Sequence, residues 1–172
     1  MKSLFVVAPA DFKDDELFKT MSCLDAIGIS SDIASTVECN ATGMLGGKIE
    51  ISKTIHAVKL HNYSAVIFIG GAGVLKTKFD EDVNLQSFAR HAYSQVPVVG
   101  AISLGVRILA KSGILTGKNA TILPDNNNID ILLEAGANYV PSGVVVDGKI
   151  ITSNGPHMVN EFVEAIFSVL KK

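Results

Sequence analysis

The chain of 172 residues has only two cysteines, five prolines and almost no surplus of charge. Cys23 and Cys39 are too few for the disulfide framework of a small secreted scaffold, although one bridge is compatible with the count. Fifteen basic against seventeen acidic side chains leave a formal charge of −2. That balance offers no field for nucleic-acid phosphates and no basic surface for anionic lipid. No apolar run reaches the roughly 18 residues that a membrane span requires. Neither an H-E-x-x-H pattern nor a Cys/His cluster marks a metal centre, and no cofactor is expected. Gly70-Gly71-Ala72-Gly73-Val74-Leu75-Lys76-Thr77 falls short of a phosphate loop, because Leu75 stands where a glycine must precede the lysine. What is present is apolar: 48% hydrophobic residues can fill a sizeable core and exclude disorder. The start, Met1 to Pro9, is too briefly apolar for a signal peptide and is followed by Asp11. It reads as a first core strand of a cytoplasmic protein.

Periodicity orders the rest. Ser3 to Ala8, Ser31 to Thr36, Val66 to Ile69, Val96 to Ala101 and Ala120 to Leu123 are short β-prone runs of the kind buried in parallel sheets. Between them, Leu17, Phe18, Met21, Leu24 and Ile27 recur at helical spacing. Asp14, Asp15 and Glu16 open that helix and Gly28 closes it. Helices also fit Glu81 to Ser94, Leu104 to Lys111 with Gly113 as its stop, and a final segment striped by Val159, Phe162, Val163, Ile166, Phe167 and Leu170. Asn127 is the expected cap of a further helix with Ile129, Leu132 and Leu133 inward. Thr42 to Ser52 reads as a small hairpin, and Val144 to Ile151 as a type I′ hairpin around Asp147-Gly148. Alternation without a linker or repeat implies one α/β domain over residues 1–172, a mostly parallel sheet with helices on both faces.

Ligand crevices of such sheets lie beyond the carboxyl ends of the strands. Three strand ends stand out: Asp11 to Glu16, Gly70 to Gly73, and Ala101 to Gly105. In the third, a buried strand enters a helix through Ser103, and a tight elbow there would lift the hydroxyl above the sheet with positive φ. A serine at this place also reads as a plain helix cap. The glycine turn either approaches the elbow to present an amide to a ligand or simply makes its bend.

Val98-Val99-Gly100-Ala101-Ile102-Ser103-Leu104-Gly105, preceded by Ile69-Gly70-Gly71, resembles the ThiJ/PfpI superfamily. Asp14-Asp15-Glu16-Leu17, Ser112-Gly113-Ile114-Leu115, Val145-Val146-Asp147-Gly148 and Thr152-Ser153-Asn154-Gly155-Pro156 match in the same order. The resemblance covers nearly the whole chain. It implies a flavodoxin-like three-layer α/β sandwich of the class I glutamine amidotransferase type, and a homodimer. It also implies a pocket at the elbow, with Gly70, Gly71, Ala72, Leu104, Leu123 and Pro156 around it.

Members of that family carry a reactive cysteine followed by histidine at the elbow, with a glutamate beside it. Here the glutamate is Glu16, the cysteine position is Ser103, the following histidine is Leu104, and a second family histidine is Leu123. A thiol is partly thiolate at neutral pH, whereas a serine hydroxyl needs a positioned base. The family's cysteine-dependent hydrolase, glyoxalase or deglycase activities are therefore not inherited. His157, at the turn after Gly155-Pro156, is the one substitute base in view; otherwise it lines the pocket or the surface. His56, His61 and His91 read as surface or boundary residues. Two expectations follow: a non-catalytic or vestigial domain binding a small molecule or protein, or a serine-dependent hydrolase using Ser103 with Glu16 and His157.

Overall fold

The computed structural model describes residues 1–172. Along the chain run β1 (Lys2–Val6), α1 (Asp14–Ala26), β2 (Ser30–Ala34), β3 (Cys39–Thr42), β4 (Lys48–Ile51), β5 (Ala65–Phe68), α2 (Gly73–Lys76), α3 (Val83–Gln95) and β6 (Val98–Ile102). Then follow α4 (Val106–Ser112), β7 (Asn119–Ala120), α5 (Asn126–Glu134), β8 (Asn138–Tyr139), β9 (Val144–Asp147), β10 (Ile150–Ser153) and α6 (Val159–Leu170). The main sheet has the order β2-β1-β5-β6-β10-β9. Its pairs are parallel except for the edge strand β9, which runs antiparallel to β10.

The strands are apolar throughout because successive side chains enter two different cores. Leu4, Val6, Val66, Phe68, Val99 and Ala101 face one core, closed by Leu85, Phe88 and Ala89 of α3, by Ile108 and Leu109 of α4 and by Leu132 of α5. Phe5, Ala65, Ile67, Val98 and Ile102 face the other, closed by Leu17 and Leu24 of α1 and by Phe162, Val163 and Ile166 of α6. The result is the mixed α/β architecture with a mostly parallel central sheet, of the flavodoxin-like and class I amidotransferase-like type. No helix is long and apolar enough to cross a membrane.

Three local expectations are corrected. The run Ala120 to Leu123 is not a main-sheet strand: only Asn119–Ala120 is extended, and it pairs with β8 in a separate two-stranded ribbon. Helix α5 is capped by Asp125, not Asn127; the Asp125 Oδ1 accepts the Asn128 N–H at 2.9 Å. With that phase Leu132 is buried, Ile129 half-buried and Leu133 exposed. In the last hairpin Ile150 pairs with Asp147, so Gly148 and Lys149 form the turn. Gly148 alone has positive φ, at 62°, which is the type II′ pattern with glycine at the first central position. The cysteines are both free.

Candidate functional site

Strand β6 ends at Ile102 and the chain turns sharply at Ser103, whose φ is 54°. A single 3-10 turn, Ser103–Gly105, then leads into α4. Left-handed backbone costs a non-glycine residue about 1 kcal/mol or more, because Cβ crowds the following carbonyl. The strain is kept because the elbow is wedged from below. A Cβ at Gly105 would strike the Phe68 carbonyl at the end of β5.

Three loops are sewn together around this elbow. Lys13 N–H donates to the Gly70 carbonyl at 3.0 Å and Gly73 N–H to the Asp11 carbonyl at 3.0 Å, joining the loop before α1 to the glycine turn after β5. Gly71 has φ 116°, and a Cβ on it would lie 2.5 Å from the Lys13 nitrogen. The β3–β4 hairpin closes over the same place: Asp11 N–H donates to Thr42 and Met44 N–H to Phe12. Its turn is clasped by buried Asp14, which accepts the N–H groups of Leu45 at 2.8 Å and Gly47 at 2.7 Å. This leaves the Met44 sulfur 3.3 Å from the Ala72 nitrogen, accepting its N–H.

The open pocket between these loops, about 510 Å³, is lined by Glu16, Ser103, Leu104, Gly71, Ala72, Leu123 and Pro156, with Lys13, Met44, Leu75 and Lys76 completing its wall. Glu16 is 1% exposed. Its Oε2 accepts the Gly70 N–H at 2.8 Å, and the Ser103 side chain adjoins the carboxyl. Burial pushes the Glu16 pKa up to about 8, against the opposing pull of the Gly70 N–H, Ser103 and the Lys13 charge. At neutral pH the carboxyl is therefore mainly protonated, with the Ser103 hydroxyl beside it. Gly71, whose N–H has no hydrogen-bond partner, stands beside it.

Among the residues singled out from sequence, Gly70 lies behind the pocket rather than on its wall. A Cβ there would come within 2.7 Å of Glu16 Oε2 and 2.9 Å of the Leu104 nitrogen. His157 is exposed and faces a neighbouring depression with Lys19, Cys23 and Asn160; Pro156 alone is common to both hollows. The reason is local: the 3-10 turn Pro156–Met158 follows Gly155 and points this side chain toward α1. Lys13 and Met44 escaped the sequence reading because long-range loop contacts bring them in. Leu75 and Lys76, one turn beyond Ala72 on α2, carried a helical-spacing signal. Across the chain, no three His, Cys, Asp or Glu side chains are placed to hold a metal ion together.

A parallel sheet with a strained elbow serine over a buried glutamate defines a flavodoxin-like protein with a pocket beyond its strand ends. By the match of residues 1–169 to its family model, the chain belongs to the DJ-1/PfpI family. An uncharacterized protein of Methanocaldococcus jannaschii is 39% identical over 171 residues, covering 99% of this chain and 83% of that one. A deglycase of Pyrococcus horikoshii is 29% identical, covering 99% and 100%. Among solved structures, a ThiJ/PfpI domain protein from Brachyspira murdochii superposes with a TM-score of 0.91 at 30% identity, covering 99% and 96%.

Proposed function

We propose that this protein is a non-catalytic, ligand-binding member of its family. Its elbow pocket takes a small apolar molecule bearing one acceptor oxygen, such as a carbonyl. The observation that supports this reading is the burial of the Glu16 carboxyl, 1% exposed, beside the elbow serine. A serine nucleophile needs a base, and a Glu16 held near pKa 8 is mostly protonated at neutral pH. Leu104 and Leu123 accept no proton, and His157 is exposed on another depression. The same pieces suit binding. Ser103 and the unpartnered N–H of Gly71 offer polar groups in the pocket, and Met44, Ala72, Leu75, Leu104, Leu123 and Pro156 cover an apolar body. Similarity to proteins named deglycases does not bring their activity here, because the family's elbow thiol is a hydroxyl in this chain. A cytoplasmic homodimer of one-domain subunits, as the family resemblance implies, is part of the proposal.

The test treats native protein and the Ser103→Ala variant with a fluorophosphonate. In parallel it titrates a medium-chain methyl ketone while observing the Leu104 and Leu123 methyl resonances. The expected outcome is no stoichiometric labelling of either protein and saturable shifts of both leucines. Rapid labelling of native protein that the alanine variant lacks would overturn this reading in favour of a serine hydrolase, the activity for which the Ser103 strain speaks. Light scattering at micromolar concentration reads the dimer.

A further inference from the structure

Three of the four histidines of this chain converge on one cleft. One wall is the segment of two 3-10 turns, Ile55–Ala57 and Leu60–Asn62, which brings His56, Lys59 and His61. The other is α3, which presents Asn84, Ser87, His91 and Gln95, spaced three and four residues apart and so on one helical face. Ile55, Val58, Leu60 and Phe88 form its apolar part, and the cleft measures about 460 Å³. It shares no residue with the elbow pocket.

We propose that this cleft binds a small organic anion: a phosphate or carboxylate group carried on an apolar body. Charge is the first argument. The ionisable groups lining the cleft are His56, Lys59, His61 and His91, and no aspartate or glutamate is among them. Asp82, at the head of α3, is turned to the helix and accepts the N–H groups of Asn84 and Leu85. Arg90 on the same helix reaches the Ser112 carbonyl instead. Availability is the second. Lys2, Lys53, Lys76, Lys111 and Lys118 are ion-paired within the chain, whereas Lys59 and the three imidazoles are not. Donor chemistry is the third. Imidazole, ammonium, amide and hydroxyl N–H and O–H groups suit an oxyanion, and Phe88 with its aliphatic neighbours suits the attached body. A metal ion fits less well, since no three of these side chains are placed to ligate one together. The volume lies within the few hundred Å³ usual for small-ligand sites.

Phenyl phosphate is the probe, with benzyl alcohol as its uncharged counterpart, titrated by calorimetry and by NMR. Saturable phenyl phosphate binding is expected, with shifts confined to residues 55–62 and α3 and absent around Ser103. The His61→Gln/His91→Gln pair, both exposed and outside either core, is expected to weaken binding at least about tenfold. Ser87→Glu, which adds a carboxylate to the wall, is expected to abolish it; both variants should melt within a few degrees of native protein. Equal binding of benzyl alcohol, affinity unchanged in both variants, or no saturable binding would each overturn the proposal.

Discussion

The Glu16 carboxyl accepts the Gly70 N–H at 2.8 Å across 54 residues of chain. This bond fastens α1 to the glycine turn directly beneath the elbow. It requires a residue without Cβ at position 70, since a methyl group would meet both Glu16 Oε2 and the Leu104 nitrogen. The same burial that makes the bond possible sets the charge of the site. A carboxyl with one strong N–H partner and little water is more stable protonated, so the elbow serine faces an acid rather than a base.

Glu16 makes stability depend on pH with a definite sign. Its pKa rises from 4.5 to about 8 on folding. Between those values the native state binds more protons than the unfolded chain. The contribution of this group is complete below about 4.5 and is lost as the pH climbs through about 8. Glu16→Gln keeps the shape and hydrogen bonds but has no proton to lose. Urea midpoints at about pH 5 and about pH 8.5 should show native protein losing on the order of a few kcal/mol more than the variant. Equal losses would mean that another group titrates.

The strain at Ser103 can be read by two substitutions that both remove the hydroxyl. At φ 54°, glycine relieves the Cβ clash and alanine retains it. Ser103→Gly is therefore expected to be more stable than Ser103→Ala by about 1 kcal/mol, after its own unfolded-state entropy is counted. Denaturant unfolding of the two variants under one buffer measures the difference. The reverse order would show that the elbow is unstrained.

Ser103→Cys tests whether the elbow still activates a thiol. The Gly71 N–H and the amides opening the turn into α4 stabilise negative charge on sulfur. The native cysteines lack such surroundings: Cys23 Sγ lies 3.8 Å from the Asn160 side-chain oxygen and Cys39 Sγ 3.7 Å from the Pro9 carbonyl. After mild peroxide, peptide mapping by mass spectrometry should find the introduced thiol oxidised first. Earlier oxidation of Cys23 or Cys39 would count against a pocket of the family type.

A buried ion cluster holds α4 in place behind the elbow. Arg107 Nε and Lys111 Nζ each lie 2.9 Å from Asp80 Oδ2, and Arg107 Nη1 donates to Asn128 Oδ1 of α5 at 2.9 Å. Asp80→Ala leaves a buried guanidinium without its counter-charge and should cost about 3–5 kcal/mol in denaturant unfolding. Asp80→Asn keeps an acceptor for Arg107 and should cost less. A cost below about 1 kcal/mol for the alanine variant would mean that water replaces the carboxylate.

The amino-acid sequence by itself determined the alternation of strands and helices, the two-sided burial of the central strands and the elbow at Ser103. These rest on nearest-neighbour physics: the continuous β-prone run of Ser3 to Ala8, the helical stripe of Phe162 to Ile166, and a strand running straight into a helix. Exact turns and caps were less legible. Asp125 rather than Asn127 caps α5, and Gly148-Lys149 rather than Asp147-Gly148 makes the last turn, because competing donors and strand register choose between adjacent residues. Only the tertiary structure decided the chemistry of the site. Desolvation by distant strands raises the Glu16 pKa, the Asp14 clasp carries Met44 over the pocket, and the turn at Pro156 aims His157 elsewhere. The gathering of His56, His61 and His91 is of the same kind. Spacing along the chain cannot express it, because it arises where α3 packs beside the 55–62 segment.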